Sequence, residues 1–374
     1  MTAASTTDTF SAPTRPWRQR LATCGRYAHL MIWVVAVGAV TLLCAADLLP
    51  QSLATRSQPY LTLAAASFVV QTLQFHIGLA CVACLAAAGL SRSWRLAVIA
   101  GMGMLMGIGP TLFASLSPAK APAPASSTMR LMSINVHLYN RNAASLLNTV
   151  RRAAPDVLVL QEYSQAIDDA VRGALAEEYT YQLRKPQAEN GDGWAVYSRR
   201  PRLAPIDTAL QLDRSKRQAR FAVRLADKEV IVYALHLTSP QSMDKIGRNR
   251  AEVADLVELL ATETKPVILA GDFNFTSSTA NAAALRARGM RDTHDLAGQG
   301  RGSTWRFRKL PLAYRLPGFR IDHIFVGPEL TCTNARVLDI AGSDHRPILA
   351  DIALAAKETP GAVASSRRST SPTP

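Results

Sequence analysis

Between residues 30 and 116 the chain carries three apolar stretches, roughly 30–46, 61–90 and 96–116, interrupted among charged residues only by Asp47, Arg56, Arg92 and Arg95. A helix of about 20 apolar residues is enough to cross a bilayer, so the first third of the chain reads as three transmembrane helices. Gln71, Gln74 and His76 fall inside the second stretch; such uncharged polar groups are expected to face neighbouring helices or water. The segment GMGMLMGIG, residues 101–109, is rich in glycine, but no lysine follows it as in a phosphate loop. Close helix packing is the expected role. Arg15, Arg18, Arg20 and Arg26 precede the first stretch, Arg56 alone lies in the first loop, and Arg92 and Arg95 lie in the second. The positive-inside tendency then makes residues 1–29 a cytoplasmic segment and leaves everything after the third crossing outside. The expectation is an integral protein of a bacterial-type inner membrane, with its downstream part extracytoplasmic.

Residues 117–128 are rich in Pro, Ala and Ser, as in a tether, and residues 357–374 have the composition of a disordered tail. Residues 129–356 between them are long enough for one globular domain. Of the five cysteines only Cys332 lies in that domain, so no disulfide forms within it and no Cys-based zinc cluster is available. The net charge of +14 suits anionic partners, although a modest basic excess is also ordinary solvated surface. Within the domain, alternating or wholly apolar runs near 130–136, 156–160, 194–197, 219–225, 229–235, 267–270, 321–326 and 347–353 read as strands, with helical spacing near 143–152 and 246–262. Many strands with helices inserted imply two sheets packed face to face and helices outside.

Polar residues fall repeatedly at the ends of those runs. Asn135, Glu162, His236, Asp272 with Asn274, and Asp322 lie in or just after apolar segments, and Asp344-His345 precedes the last strand. In AGDFNF, residues 270–275, strand alternation would point Asp272 and Asn274 the same way, with Phe273 turned toward packing. Were these strand ends to converge, three or four carboxylates would repel one another unless a cation sat among them. A hard oxygen set without thiolates points to Mg²⁺ or Mn²⁺, and hydrolysis of a phosphate ester is the chemistry implied. Taken singly, each residue has an ordinary reading: Asp272 as the start of an Asx turn, a lone His or Asp as a cap or surface group, Thr304-Trp305 as packing beneath the site.

The segments SINVH, LQEY, ALHLTSP, LAGDFNF, STW, RIDHIFV and SDHRPILADI, in this order, closely resemble the endonuclease/exonuclease/phosphatase (DNase I-like) family. The resemblance implies a four-layered α/β sandwich, two packed and mainly antiparallel sheets flanked by helices, here preceded by the transmembrane segment. It also implies roles. Glu162 would hold a divalent ion, with Asn135 and Asp344 supporting it or its waters. Asp272 would deprotonate the attacking water and Asn274 would hydrogen-bond a phosphate oxygen. His345 would hold the phosphoryl oxygen with its tautomer fixed by Asp322, and His236 would be a second phosphate-facing imidazole and proton donor to the leaving oxygen. The implied substrates are nucleic acid, favoured by the basic cluster Arg214, Lys216, Arg217 and Arg220, or a phospholipid headgroup, favoured by the tether. A membrane-anchored binding module without catalysis is the alternative class, and no protein partner is implied.

Overall fold

The computed structural model describes residues 16–49, 52–53, 57–116, 127–187, 191–201, 217–306 and 316–356. Residues 117–126 of the linker expected at 117–128, the tail 357–374, the N-terminal residues 1–15, and Arg214 and Lys216 lie outside the described residues, and Thr128 already belongs to the first strand. Two compact units emerge, one comprising the chain up to Leu48 with Leu73–Leu112, the other comprising Leu49–Thr72 with everything from Phe113 onward.

The first unit is helical. It holds α1 (Pro16–Leu48), most of α2 (Gln58–Leu90) and most of α3 (Trp94–Leu116). Three windows, Thr23–Leu48, Pro59–Leu90 and Trp94–Phe113, are long and apolar enough to cross a membrane. The glycine-rich stretch works in packing: a Cβ on Gly107 would lie 2.5 Å from the Cα of Gly78, so the two helix backbones touch there. Gln74 faces its neighbour, its amide donating to the Met106 carbonyl at 2.8 Å.

The second unit is built on two sheets. The first has the order β10 (Leu330–Val337), β11 (Ile348–Leu354), β1 (Thr128–Asn135), β2 (Val157–Gln161), β4 (Trp194–Ser198), β3 (Tyr181–Lys185). The second has the order β5 (Ala219–Leu225), β6 (Lys228–His236), β7 (Val267–Asp272), β9 (Asp322–Val326), β8 (Arg291–Asp292). Only β1–β2 and β6–β7 pair in parallel; the other neighbours are antiparallel. Each parallel pair requires a crossover, supplied by α4 (Ala143–Ala153) and α6 (Met243–Thr262). Both crossover helices are capped by the sequence itself, Asn142 accepting from Ser145 N–H and Ser242 from Lys245 N–H.

Alternation along the strands sorts the side chains into layers. Met129 and Leu131 of β1, Val157 and Val159 of β2, Val232 and Ala234 of β6, Ile268 and Ala270 of β7, and Ile324 of β9 form the core between the sheets. The opposite face of the first sheet packs Met132, Ile134, Leu158 and Leu160 under α4 and α5 (Gln165–Glu178). That of the second packs Ile231, Tyr233 and Leu269 under α6 and α7 (Ala280–Ala287). Helix, sheet, sheet, helix is the four-layered sandwich.

Candidate active site

The strand parity that builds the inter-sheet core also delivers the site. Asn135, Gln161, His236, Asp272 and Asp322 each sit on the inner-facing parity of their strands, the first four as the last residue of a strand and Asp322 as the first residue of antiparallel β9. Register completes the convergence. His236 is the parallel partner of Asp272, and Asp272 the antiparallel partner of Asp322, so three polar residues form one row across β6, β7 and β9. Asn135 and Gln161 are partners in the facing sheet. Gly271, immediately before Asp272, makes the row possible: its φ is +155° and a Cβ there would lie 1.8 Å from the Leu235 carbonyl oxygen. Only a residue without a side chain lets β7 approach β6 so closely.

Asn135 is the knot of the site. Fully buried, its amide nitrogen donates to Glu162 Oε1 at 2.9 Å and to Asp272 Oδ2 at 3.0 Å, while its Oδ1 accepts the His137 N–H at 3.0 Å. It therefore holds two carboxylates together, and its Oδ1, with one accepted hydrogen bond, keeps a second lone pair. Glu162 adopts a left-handed φ of 51°, a strained conformation for a residue with a side chain. Its other oxygen accepts from Leu138 N–H at 2.9 Å.

The loop after β10 closes the pocket from the first sheet. Ser343 donates to the Asn135 carbonyl at 2.7 Å and accepts from His345 N–H at 3.0 Å. His345 Nδ1 lies 2.9 Å from Asp322 Oδ2, and its Nε2 lies 3.8 Å from Asp272 Oδ2. His236 Nε2 stands 3.8 Å from the same Asp272 oxygen and 3.9 Å from Glu162 Oε1. All the expected residues except Asp344 thus contact another member of the set, Asn274 through its backbone N–H. Asp344 is joined through Trp305, whose indole N–H donates to its Oδ2 at 3.1 Å. Trp305 is therefore more than packing, a role the bare tripeptide STW did not signal. Its neighbour Thr304 is wholly buried and accepts the N–H groups of Ile321 and Asp322, each at 3.1 Å.

Asn274 departs from its expected geometry. The strand ends at Asp272, and Asn274 takes a left-handed φ of 55°, so alternation does not carry past Asp272 to align the two side chains. The Asn274 N–H instead donates to Asp272 Oδ1 at 2.9 Å, an Asx-type turn, and its amide donates to the Leu237 carbonyl at 3.0 Å. One amide hydrogen is left for another acceptor.

Charge is distributed unequally between the two imidazoles. Burial opposes a charge on His345, but Asp322 and Asp272 overcome it and raise its pKa to about 10. It is an imidazolium at neutral pH. Burial, with Arg217 and His345 adding to it, holds His236 well below the ordinary histidine value. The neutral form of His236 is thereby favoured. Burial also raises Asp272 to about 7, with Asp322 and Glu162 adding to the effect against His345 and Asn135.

A hard cation fits this set. Among the described residues, ligand-type atoms of Asp272, Asp322 and His345 lie within 4.8 Å of one another. Within that trio His345 Nδ1 is tied to Asp322 Oδ2 at 2.9 Å, which leaves Nε2 facing Asp272. The carboxylates with capacity left over are Glu162 and Asp344, whose buried Oδ1 has no protein partner.

The basic cluster expected near the site divides. Arg217 stays close, 2.8 Å from Thr238 Oγ1 and 3.4 Å from the buried Glu252, and its charge bears on His236. Arg220 turns away to Glu263 at 2.7 Å, on the face covered by α6.

No curated protein matches the chain. Among solved structures, the endonuclease/exonuclease/phosphatase from Beutenbergia cavernae is 18% identical over 61% of this chain and 72% of that one, with a TM-score of 0.48. A humanized TDP2 from D. rerio is 21% identical over 60% of this chain and 98% of that one, with a TM-score of 0.48. The 3′ phosphatase NExo from Neisseria, bound to product DNA hairpin, is 21% identical over 59% of this chain and 98% of that one, with a TM-score of 0.47. The family model described as Endonuclease/Exonuclease/phosphatase family matches residues 132–345, more than half of the 374 residues. The chain belongs to the endonuclease/exonuclease/phosphatase family.

Proposed function

We propose that the protein is a divalent-metal-dependent phosphodiesterase or phosphatase, tethered to a membrane by α1–α3 with its catalytic unit on the extracytoplasmic side. The observation that carries the catalytic reading is the pocket in which Asn135 joins Glu162 to Asp272 while an imidazolium, His345, stands 3.8 Å from the same Asp272. Asp272 accepts the proton of a water aimed at phosphorus, a task for which a carboxylate titrating near neutrality is well matched. His345 donates from Nε2 to a phosphoryl oxygen as charge grows there, its Nδ1–H held on Asp322. Asn274 offers its free amide hydrogen to a second phosphoryl oxygen, and His236 hydrogen-bonds the leaving oxygen, which takes up a proton from solvent as its bond to phosphorus breaks. Glu162 and Asp344 would hold Mg²⁺ or Mn²⁺, which supplies further positive charge to the phosphoryl group when bound. Family membership supports the same chemistry, since these enzymes are phosphoester hydrolases that use divalent metals.

Two alcohols could lie on the far side of the ester. A nucleic-acid backbone is supported by Arg217 beside His236; Arg220, engaged with Glu263, drops out of that argument. A phospholipid headgroup is supported by the three apolar helices, which would confine the site to a bilayer surface. The full-length protein in lipid nanodiscs, offered single- and double-stranded DNA, RNA, sphingomyelin and phosphoinositides with Mg²⁺ or Mn²⁺, is expected to cleave one class. Chelation should abolish that cleavage and Glu162→Gln should weaken its metal dependence. Absence of turnover on every ester, with tight binding of one of them, would leave the binding-module reading standing instead. For sidedness, alkaline phosphatase fused after Pro374 should be active and a cytoplasm-only fluorescent reporter dark; the reverse pattern overturns the orientation.

A further inference from the structure

Helix α2 is longer than a bilayer requires. Its 33 residues extend about 50 Å at roughly 1.5 Å per residue, against a hydrocarbon layer of about 30 Å. Its first half, residues 58–72, belongs to the same compact unit as the two sheets. There Ala64, Ala65, Phe68 and Gln71 are buried, and spacings of three and four place them on one stripe. Ala65 and Phe68 share an apolar cluster with Val253 and Leu256 of α6 and Leu285 of α7.

Polar contacts fix the register of that stripe. The N-cap residue of α7, Thr279, makes no side-chain capping bond. Gln71 of α2 replaces it, its Oε1 accepting from Ala280 N–H at 3.1 Å, while its carbonyl accepts from Ser278 Oγ at 2.6 Å. Just before α2, the Ser52 carbonyl accepts from the buried Arg250 of α6 at 3.0 Å. The docked segment thus braces the turn that follows Asp272 and Asn274.

The opposite stripe of the same segment is apolar and uncovered: Leu63 is 49% exposed, Val69 is 43% exposed, and Ala66 lies open between them. A helix apolar on both faces is not built for water on either. We propose that residues 58–72 are a two-faced wedge, one stripe seated between α6 and α7 and the other in contact with the acyl chains of the bilayer, so that the catalytic unit rests directly on lipid. Lipid is the occupant because residues 59–72 lie within the unbroken helical stretch, Pro59–Leu90, that is apolar enough to cross a membrane. Connectivity agrees: three successive crossings put the start of α2 and the end of α3 on the same side, whichever side that is. The inference rests on the membrane-tether reading and is independent of catalysis.

Photocrosslinking in native membranes tests it on the full chain. A diazirine-bearing aliphatic side chain placed at Phe68 should crosslink to peptides of α6 or α7, and one placed at Leu63 or Val69 should crosslink to phospholipid. Lipid adducts at Phe68 equal to those at Val69 would overturn the docking, and crosslinks from Leu63 and Val69 to a second copy of the chain would overturn the lipid contact. Gln71→Ala, which leaves the apolar residues of the stripe in place, should speed amide exchange at Ala280 roughly tenfold by removing its cap; unchanged exchange counts against the brace. Release of the protein by carbonate washing would instead sink the tether reading itself.

Discussion

Asp272→Asn is expected to lower turnover of a phosphate ester by about a hundred- to ten-thousand-fold, the range of a lost general base, without lowering the stability of the metal-free protein. Both halves follow from one geometry. Asp272 is 1% exposed and faces Glu162 through Asn135, with Asp322 beside it in the strand row. Burial raises its pKa to about 7, above the value of about 4 for a carboxyl in an unfolded chain. Its folded-state pKa being the higher one, ionisation costs the native state stability as pH rises from about 4 to about 7. The isosteric amide removes that cost along with the base, a gain set against the one accepted hydrogen bond it loses, since its single oxygen cannot serve both the Asn135 amide and the Asn274 N–H. His345→Ala should be equally inactive for a different reason and with a different signature, because it strands the buried Asp322 carboxylate and lowers stability as well. The pH profile carries its own sign. In the free enzyme kcat/KM should rise as Asp272 loses its proton near 7 and fall as His345 loses its proton near 10. A bound cation favours the ionised carboxylate, so raising the metal concentration should move the acid limb to lower pH. Undiminished hydrolysis by Asp272→Asn would remove Asp272 from the chemistry and, with it, the mechanism proposed.

How far this site could be read from sequence depended on parity. Asn135, His236, Asp272 and Asp322 are visible as polar residues closing apolar runs, and period-two alternation is what places them all on inner faces at one edge. Where regular alternation stopped, so did the reading. Asn274 lies beyond the strand in a left-handed turn, a change of conformation that Asn tolerates and that no periodicity announces. An edge strand and an outer helix were also lost. Strand β10 interleaves Thr331, Thr333, Asn334 and Arg336 with its buried residues and carries a register shift between Cys332 and Asn334, so its pattern is too polar and too irregular to resemble a strand. Helix α5 was legible in principle, since Ser164 caps it and Ile167, Val171 and Leu175 recur every fourth residue. The partition of the basic cluster was not legible at all: Arg217 and Arg220 are three residues apart in sequence, and only strand parity with long-range partners sends one to Glu252 and the other to Glu263.

Asp292→Asn is expected to destabilise the protein by about 3–5 kcal/mol, the usual cost of removing one partner from a buried charge cluster, although Asp292 takes no part in the chemistry. Its carboxylate is 3% exposed and meets three groups: Arg320 at 3.0 Å, His323 Nδ1 at 2.6 Å and the His294 N–H at 2.9 Å. His323 in turn reaches the Phe275 carbonyl through Nε2 at 2.9 Å and stacks on the rings of Phe275 and Phe325. One carboxylate therefore ties β8 and β9 to the turn carrying Asn274, directly behind Asp322. Burial alone would push the Asp292 pKa up, but Arg320 and His323 prevail and hold it below the ordinary carboxylate value. A folded-state pKa below the unfolded one contributes stability that is present above about pH 4 and is lost as pH falls further. Asparagine preserves the shape yet cannot balance Arg320, which keeps only Asp295 at 2.6 Å. The melting temperature of the full-length variant in detergent should therefore drop markedly at neutral pH, and its gap from the parent should narrow on acidification, where the parent loses the same charge. Equal melting temperatures at pH 7 would show that the cluster is held by packing around His323 and not by the carboxylate.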